Sequence, residues 1–210
     1  MEATPRRRGP ITKFTARLRK AERKKQLLAT AKELFLTLGY HQTTTDKIAK
    51  AAGVTEPVLY QHFPSKKALF LVVLEEIRQG TLHRWQDAAA GLTNPLEKLH
   101  AIIDRYLDAT REHVPLLRIM HRALVETNDA EITAQVRGFY LDSEKLLADI
   151  FKAGQEAGYF RAEIDPRVGA WELIRTALGY SLTYPLGIPL YQEENYIKKA
   201  IGCLMYGLMK

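Results

Sequence analysis

Between Thr43 and Phe70 the chain reads TTTDKIAKAAGVTEPVLYQHFPSKKALF, and no other stretch limits the fold as much. Three hydroxyl residues stand in a row, a glycine interrupts at Gly53, Thr55 and Pro57 restart the chain, and Pro64 interrupts it again. Pieces this short do not persist as helices in water, because nucleation costs more than one or two turns return. They hold only when packed on one another, and two such helices with a fixed kink present side chains at a set angle. Thr44 or Thr45 opens the first piece, where a hydroxyl accepts from an orphan amide, and Ile48, Ala49 and Ala52 point inward. Gly53 suits a left-handed turn. Thr55 is expected to cap the next piece, and Pro57 is tolerated because first-turn amides lack intrahelical partners. Ser65 caps a fourth helix with an apolar stripe at Phe70, Val73, Leu74, Ile77 and Trp85.

The same period governs the rest of the chain. Leu27, Ala31, Leu34, Phe35 and Leu38 mark a helix from Lys20 that Gly39 closes. Further helices are expected from Pro95 to about His113, Pro115 to about Thr127, Asp129 to about Ala157, and onward from Pro166. A loop, YPLGIPLY, spans Tyr184–Tyr191, and a last helix carries Ile197, Ile201, Leu204 and Leu208. No strand-like alternation or internal repeat occurs, so the expected fold class is all-α. Residues 1–16 lack apolar periodicity and read as a flexible basic tail. Residues 17–64 form the unit of short helices. Residues 65–210 form a helical body, with the Ser65–Ala89 helix linking the two.

Charge separates the two parts. Residues 1–70 hold 15 Lys/Arg against 5 Asp/Glu, and the remainder holds 16 against 19. A basic segment on an acidic body points to a polyanion partner, although Lys20, Arg23, Lys24 and Lys25 read equally as ordinary solvated charge. The Arg6–Arg8 cluster stands between two readings, a minor-groove arm and a solvated tail. No apolar run follows it, so it does not read as a secretory signal, and no run approaches the length of a membrane span. Cys203 is the single cysteine, which fits a cytoplasmic setting and excludes a disulfide framework or thiolate zinc site. It lies on an apolar helix and reads as core or interface. No phosphate loop, nucleophile elbow or metal cluster stands out, so neither a cofactor nor an enzyme is expected.

Two short helices joined by a glycine-containing turn make a helix-turn-helix, whose second helix enters the major groove of DNA. The outward side chains around that helix are Thr55, Glu56, Pro57, Val58, Tyr60, Gln61 and His62, followed by Lys66 and Lys67. The order Gly39-Tyr40, Thr44-Thr45, Ile48-Ala49, Ala52-Gly53-Val54, Leu59-Tyr60, His62-Phe63 and Ser65-Lys66 resembles the N-terminal domain of TetR-family transcriptional regulators. That resemblance implies phosphate contacts from Thr44, Thr45, Thr55, Tyr60, His62 and Lys66. It places Glu56, Pro57 and Val58 at base edges, where Pro57 and Val58 offer only apolar contact. A carboxylate is unfavourable near phosphates, so Glu56 fits there only as an acceptor from cytosine.

The resemblance also implies that the body senses a small molecule and dimerises. The expected whole is a homodimeric regulator, a repressor released from a pseudo-palindromic double-stranded operator by an effector. Val168, Trp171, Leu178 and Leu182 form one apolar stripe and Ile197, Ile201, Leu204 and Leu208 another. Together they suit a four-helix interface with a two-fold mate and suit a monomer core as well. Arg118, His121, Arg122, Tyr140, Trp171 and Arg175 are the candidate effector contacts, and the arginines suit a largely apolar, anionic molecule. The alternative is an α-helical carrier or enzyme whose basic segment binds another polyanion.

Overall fold

The computed structural model describes residues 13–111, 116–193 and 196–209; the Arg6–Arg8 cluster and the expected helix ends at His113 and Pro115 lie outside them. No strand forms among the described residues, only one bridge between Phe160 and Met209. The chain divides into two compact units, Met1–Phe70 and Leu71–Lys210.

In the first unit, α1 spans Lys13–Gln42, α2 Thr45–Ala51 and α3 Glu56–Tyr60, and the first turn of α4 (Lys66–Ala89) follows. α1 therefore begins inside the segment read as tail. No glycine or proline lies between Pro10 and Gly39, and extending a helix already nucleated needs no apolar stripe. Gly39 breaks α1 with φ 79° and ψ 177°, a backbone region that only glycine occupies without strain. The carbonyls left loose there are met by Thr43, which is fully buried. Its hydroxyl lies 2.7 Å from the Gly39 carbonyl and 3.1 Å from that of Leu34. Leu27, Ala31 and Phe35 of α1 bury against Ile48, Ala49, Leu59, Phe63 and Phe70, with the Phe35 and Phe70 rings 4.6 Å apart.

Thr44 caps α2, accepting from the Lys47 amide at 3.2 Å. The turn that follows is closed by Gly53 at φ 66° and by the Val54 amide donating to the Ala49 carbonyl at 2.9 Å. Gln26 secures the turn from α1, its amide donating to the Ala52 carbonyl at 3.0 Å. Ser65 caps α4, accepting from the Ala68 amide at 3.0 Å.

The second unit holds the rest of α4 with α5 (Pro95–Arg111), α6 (Leu116–Glu126), α7 (Ala130–Glu156), α8 (Pro166–Thr183), α9 (Pro189–Gln192) and α10 (Tyr196–Leu208). α7 packs along α8, and α5 and α6 lie against α7. Asp129 and Asp165 accept from the first amides of α7 and α8. The stretch read as a loop after α8 instead forms a 3-10 turn, Tyr184–Leu186, and then α9. Pro189 sits at the first position of α9, where a preset φ favours helix.

Candidate functional site

The short helices leave one face of the first unit outward. Leu59 faces the core, and the positions around it on α3 stay accessible. Thr55 is exposed at the start of α3, and its hydroxyl makes no capping bond there. Pro57 and Gln61 are exposed, Val58 and His62 are half-buried, and Tyr60 keeps 47% of its surface. The Tyr60 hydroxyl lies 3.3 Å from that of Thr45, so side chains of α2 and α3 meet on one surface. Thr44 is exposed beside them. Hydroxyls and helix-start amides on one outward face are the groups that phosphate oxygens accept from.

Glu56 is half-buried at the first position of α3, where its charge favours the helix dipole. It also helps to hold the Lys50 ammonium in its charged form, after the nearer Asp46, which pairs with Lys50 at 2.8 Å. Glu56 thus has a local structural use that its place in the sequence did not disclose.

Lys66 is fixed rather than free. Its ammonium donates to the Tyr40 carbonyl at 2.9 Å and stands 4.3 Å from the centre of the Tyr40 ring. Burial pushes its pKa down. An ammonium has three donors, so this anchoring still leaves donors for a phosphate. The Gly39-Tyr40 pair therefore does more than end α1, because it supplies the carbonyl and ring that aim Lys66. His62 has its pKa lowered first by burial and then by Lys20, Lys24 and Arg23, so three cations of α1 act on it.

In the second unit the candidate effector residues separate. His121 is buried and its Nδ1 lies 3.0 Å from the Ser181 hydroxyl. Burial pushes its pKa down to about 4. The Tyr140 hydroxyl is buried without a hydrogen-bond partner, and burial pushes its pKa up to about 12. Tyr106 of α5 belongs with these two. Its hydroxyl donates to the Ala177 carbonyl at 2.7 Å, and its pKa is raised by burial. Ser181 was not singled out, since a lone serine in an apolar helix gives no signal.

The remaining candidates point elsewhere. Trp171 donates its indole N–H to the buried Glu144 at 2.7 Å, and Glu144 is also paired with Arg167. Both hydrogen bonds hold the Glu144 carboxyl below its usual range. Arg118 is exposed, Arg175 is exposed and paired with Glu172, and Arg122 pairs with Glu126 at 2.6 Å.

The expected interface residues also divide. Ile197, Ile201 and Leu208 are buried within the single chain, joined by Met205, and Leu204 is only half-buried. Trp171 and Leu178 are half-buried, while Val168 and Leu182 are 50% and 54% exposed. On α10 the outward residues include Tyr206, at 84%, and Cys203. No group of three or more metal-binding side chains occurs among the described residues, and no described helix is long and apolar enough to cross a membrane.

Comparison with known proteins gives three kinds of match. Residues 27–73 match the bacterial regulatory proteins of the tetR family. The HTH-type transcriptional activator FasR of Mycolicibacterium smegmatis is 40% identical over 92 residues, covering 44% of this chain and 42% of its own, so the match spans less than half of that relative. The HTH-type transcriptional repressor KstR2 of Mycobacterium tuberculosis is 29% identical over 191 residues, which cover 86% of this chain and 92% of the relative. The solved structure of the ketosteroid transcriptional regulator KstR2 of Mycobacterium tuberculosis superposes with a TM-score of 0.70 at 25% identity, covering 90% of this chain and 95% of that one.

Proposed function

Because this chain belongs to the tetR family of bacterial regulatory proteins, we propose that it represses transcription as a homodimer on a pseudo-palindromic operator and leaves it when a small molecule binds the helical body. One observation carries this reading. The outward face of α2 and α3 holds Thr44, Thr45, Thr55, Pro57, Tyr60 and Gln61 beside a Lys66 aimed by Tyr40.

Each residue then has a role. Thr44, Thr45, Thr55, Tyr60, His62 and Lys66 hold backbone phosphates, which fix register without reading sequence. Pro57 and Val58 meet base edges through apolar contact, such as a thymine methyl, and Gln61 is the polar reader beside them. Glu56 serves the start of α3 rather than a base. The exposed Val168, Leu182 and Tyr206 on α8 and α10 face the mate, and the α10 stripe at Ile197, Ile201 and Leu208 belongs to the fold of each protomer.

The effector is largely apolar, and its polar atom meets Tyr140 and His121. An uncharged group has more support than an anionic one. Arg118 and Arg175 are exposed and Arg122 is paired with Glu126, while the unpartnered Tyr140 hydroxyl offers a neutral donor.

A gel-shift titration on a pool of random duplexes tests the DNA reading. Wild type shifts the pool, and a Tyr60→Ala, Gln61→Ala double variant that melts like wild type needs a higher protein concentration to do so. Wild type that leaves the pool unshifted at low salt removes the reading and restores the carrier alternative.

A further inference from the structure

We propose that the cleft between the N-terminal half of α1 and the end of α3 is a second phosphodiester site, which grips the backbone of the duplex that α3 enters. It rests on the DNA-binding reading above and extends that footprint to residues outside the helix-turn-helix. The cleft measures about 820 Å³ and is lined by Lys20, Glu22, Arg23, Gln26, Gln61 and His62. Gln61 and His62 close the outward face of α3, so DNA held there reaches the mouth of the cleft.

Arg23 and Lys24 are held in place. The Arg23 guanidinium donates to Gln26 Oε1 at 2.7 Å, and Gln26 donates in turn to the Ala52 carbonyl at 3.0 Å. The turn between α2 and α3 thus orients Arg23, whose fork keeps further N–H donors for a ligand. Lys24 stands 5.6 Å over the Phe63 ring. Lys20, Lys24 and Arg23 all act on His62. Glu22 is the single acid in the lining and partly offsets their field. Burial first, and then three cations, disfavour protonation of this half-buried imidazole until an anion arrives beside it. A phosphate in the cleft reverses that balance, so DNA binding draws a proton onto His62 and affinity rises as pH falls from 8 to 6. The charged groups acting on this imidazole are Lys20, Lys24 and Arg23 from α1; Glu22 and the neutral Gln61 line the same cleft.

The test is a fluorescence-anisotropy titration of a labelled random-sequence duplex across a salt series. Each cation that neutralises a phosphate contributes about 0.9 to the slope of log K against log salt. The Lys20→Gln, Arg23→Gln double variant is expected to flatten the slope by about 1.8 for each bound protomer, about 3.6 for a dimer with both halves engaged. The charge-conserving Lys20→Arg variant keeps the wild-type slope, and so does Lys25→Gln, at an exposed α1 position outside the cleft. If the double variant melts early, Lys20→Gln alone gives about half of the effect. His62→Gln is expected to remove the gain in affinity between pH 8 and 6. An unchanged slope in the Lys20 and Arg23 variants overturns the site while leaving α3 as the DNA reader. So does an equal loss from Lys25→Gln, which would mean a diffuse field. Wild type that fails to bind the duplex overturns both readings together.

Discussion

Single side chains in this protein serve the fold and lie in the proposed site at once, and that makes their roles separable by measurement. Lys66→Met keeps the stem but loses both the donor to Tyr40 and the charge. It is expected to cost ~1 kcal/mol of stability and to flatten the salt slope of duplex binding by about 0.9 for each bound protomer. A lower melting temperature with an unchanged slope would leave Lys66 as a brace only. Gly39→Ala forces a side chain into φ 79° and ψ 177° and is expected to cost ~1–3 kcal/mol in urea unfolding; wild-type stability would mean that the break relaxes freely. His121 carries a pH signature. Its pKa is about 4 when folded against an ordinary 6.5. Above 6.5 the imidazole is neutral in both folded and unfolded chains and costs nothing. As pH falls from 6.5 towards 4 the unfolded chain takes a proton that the folded one refuses. Stability therefore drops by up to ~1.4 kcal/mol per pH unit and levels off below. Unfolding at pH 7, 6 and 5 should show a steeper loss in wild type than in His121→Gln, and parallel curves would place His121 in water.

At the scale of elements, the caps and breakers made most of the architecture legible. Thr44, Ser65, Asp129 and Asp165 start helices through side-chain bonds to local amides, and local chemistry of that kind is written in neighbouring residues. What stayed hidden depends on residues far apart in sequence. The use of Tyr40 as the seat of Lys66 spans 26 positions, and the partnership of His121 with Ser181 spans 60. Amphipathic period shows that a helix has an apolar face, yet not whether its own chain or a mate covers it. The α10 stripe illustrates this, with Ile201 6% exposed in the single chain. Ile201→Arg buries an unpaired charge and is expected to destabilise each protomer by several kcal/mol, on the order of the whole stability of a domain. Circular dichroism melting measures it. A folded Ile201→Arg chain that is merely monomeric would return that stripe to the interface.

At the scale of the whole molecule, the proposed function requires two copies and two ligands to share one free energy. Val168, Leu182 and Tyr206 leave apolar surface outside each protomer, and Tyr206→Ser is expected to shift sedimentation towards monomer without lowering the helical signal at low temperature. An unchanged sedimentation profile would move the interface elsewhere. The proposed effector and the operator are linked reciprocally. If the effector weakens DNA binding 5- to 150-fold, about 1–3 kcal/mol, then DNA weakens effector binding by the same factor. Selection of duplexes from a random pool by the intact protein tests the dimeric DNA reading most directly. It is expected to enrich sites whose two halves are related by a two-fold axis, with half-site centres about one helical turn apart, roughly 34 Å, or modestly further. Enriched sites without internal symmetry, or no enrichment at all at low salt, would contradict it.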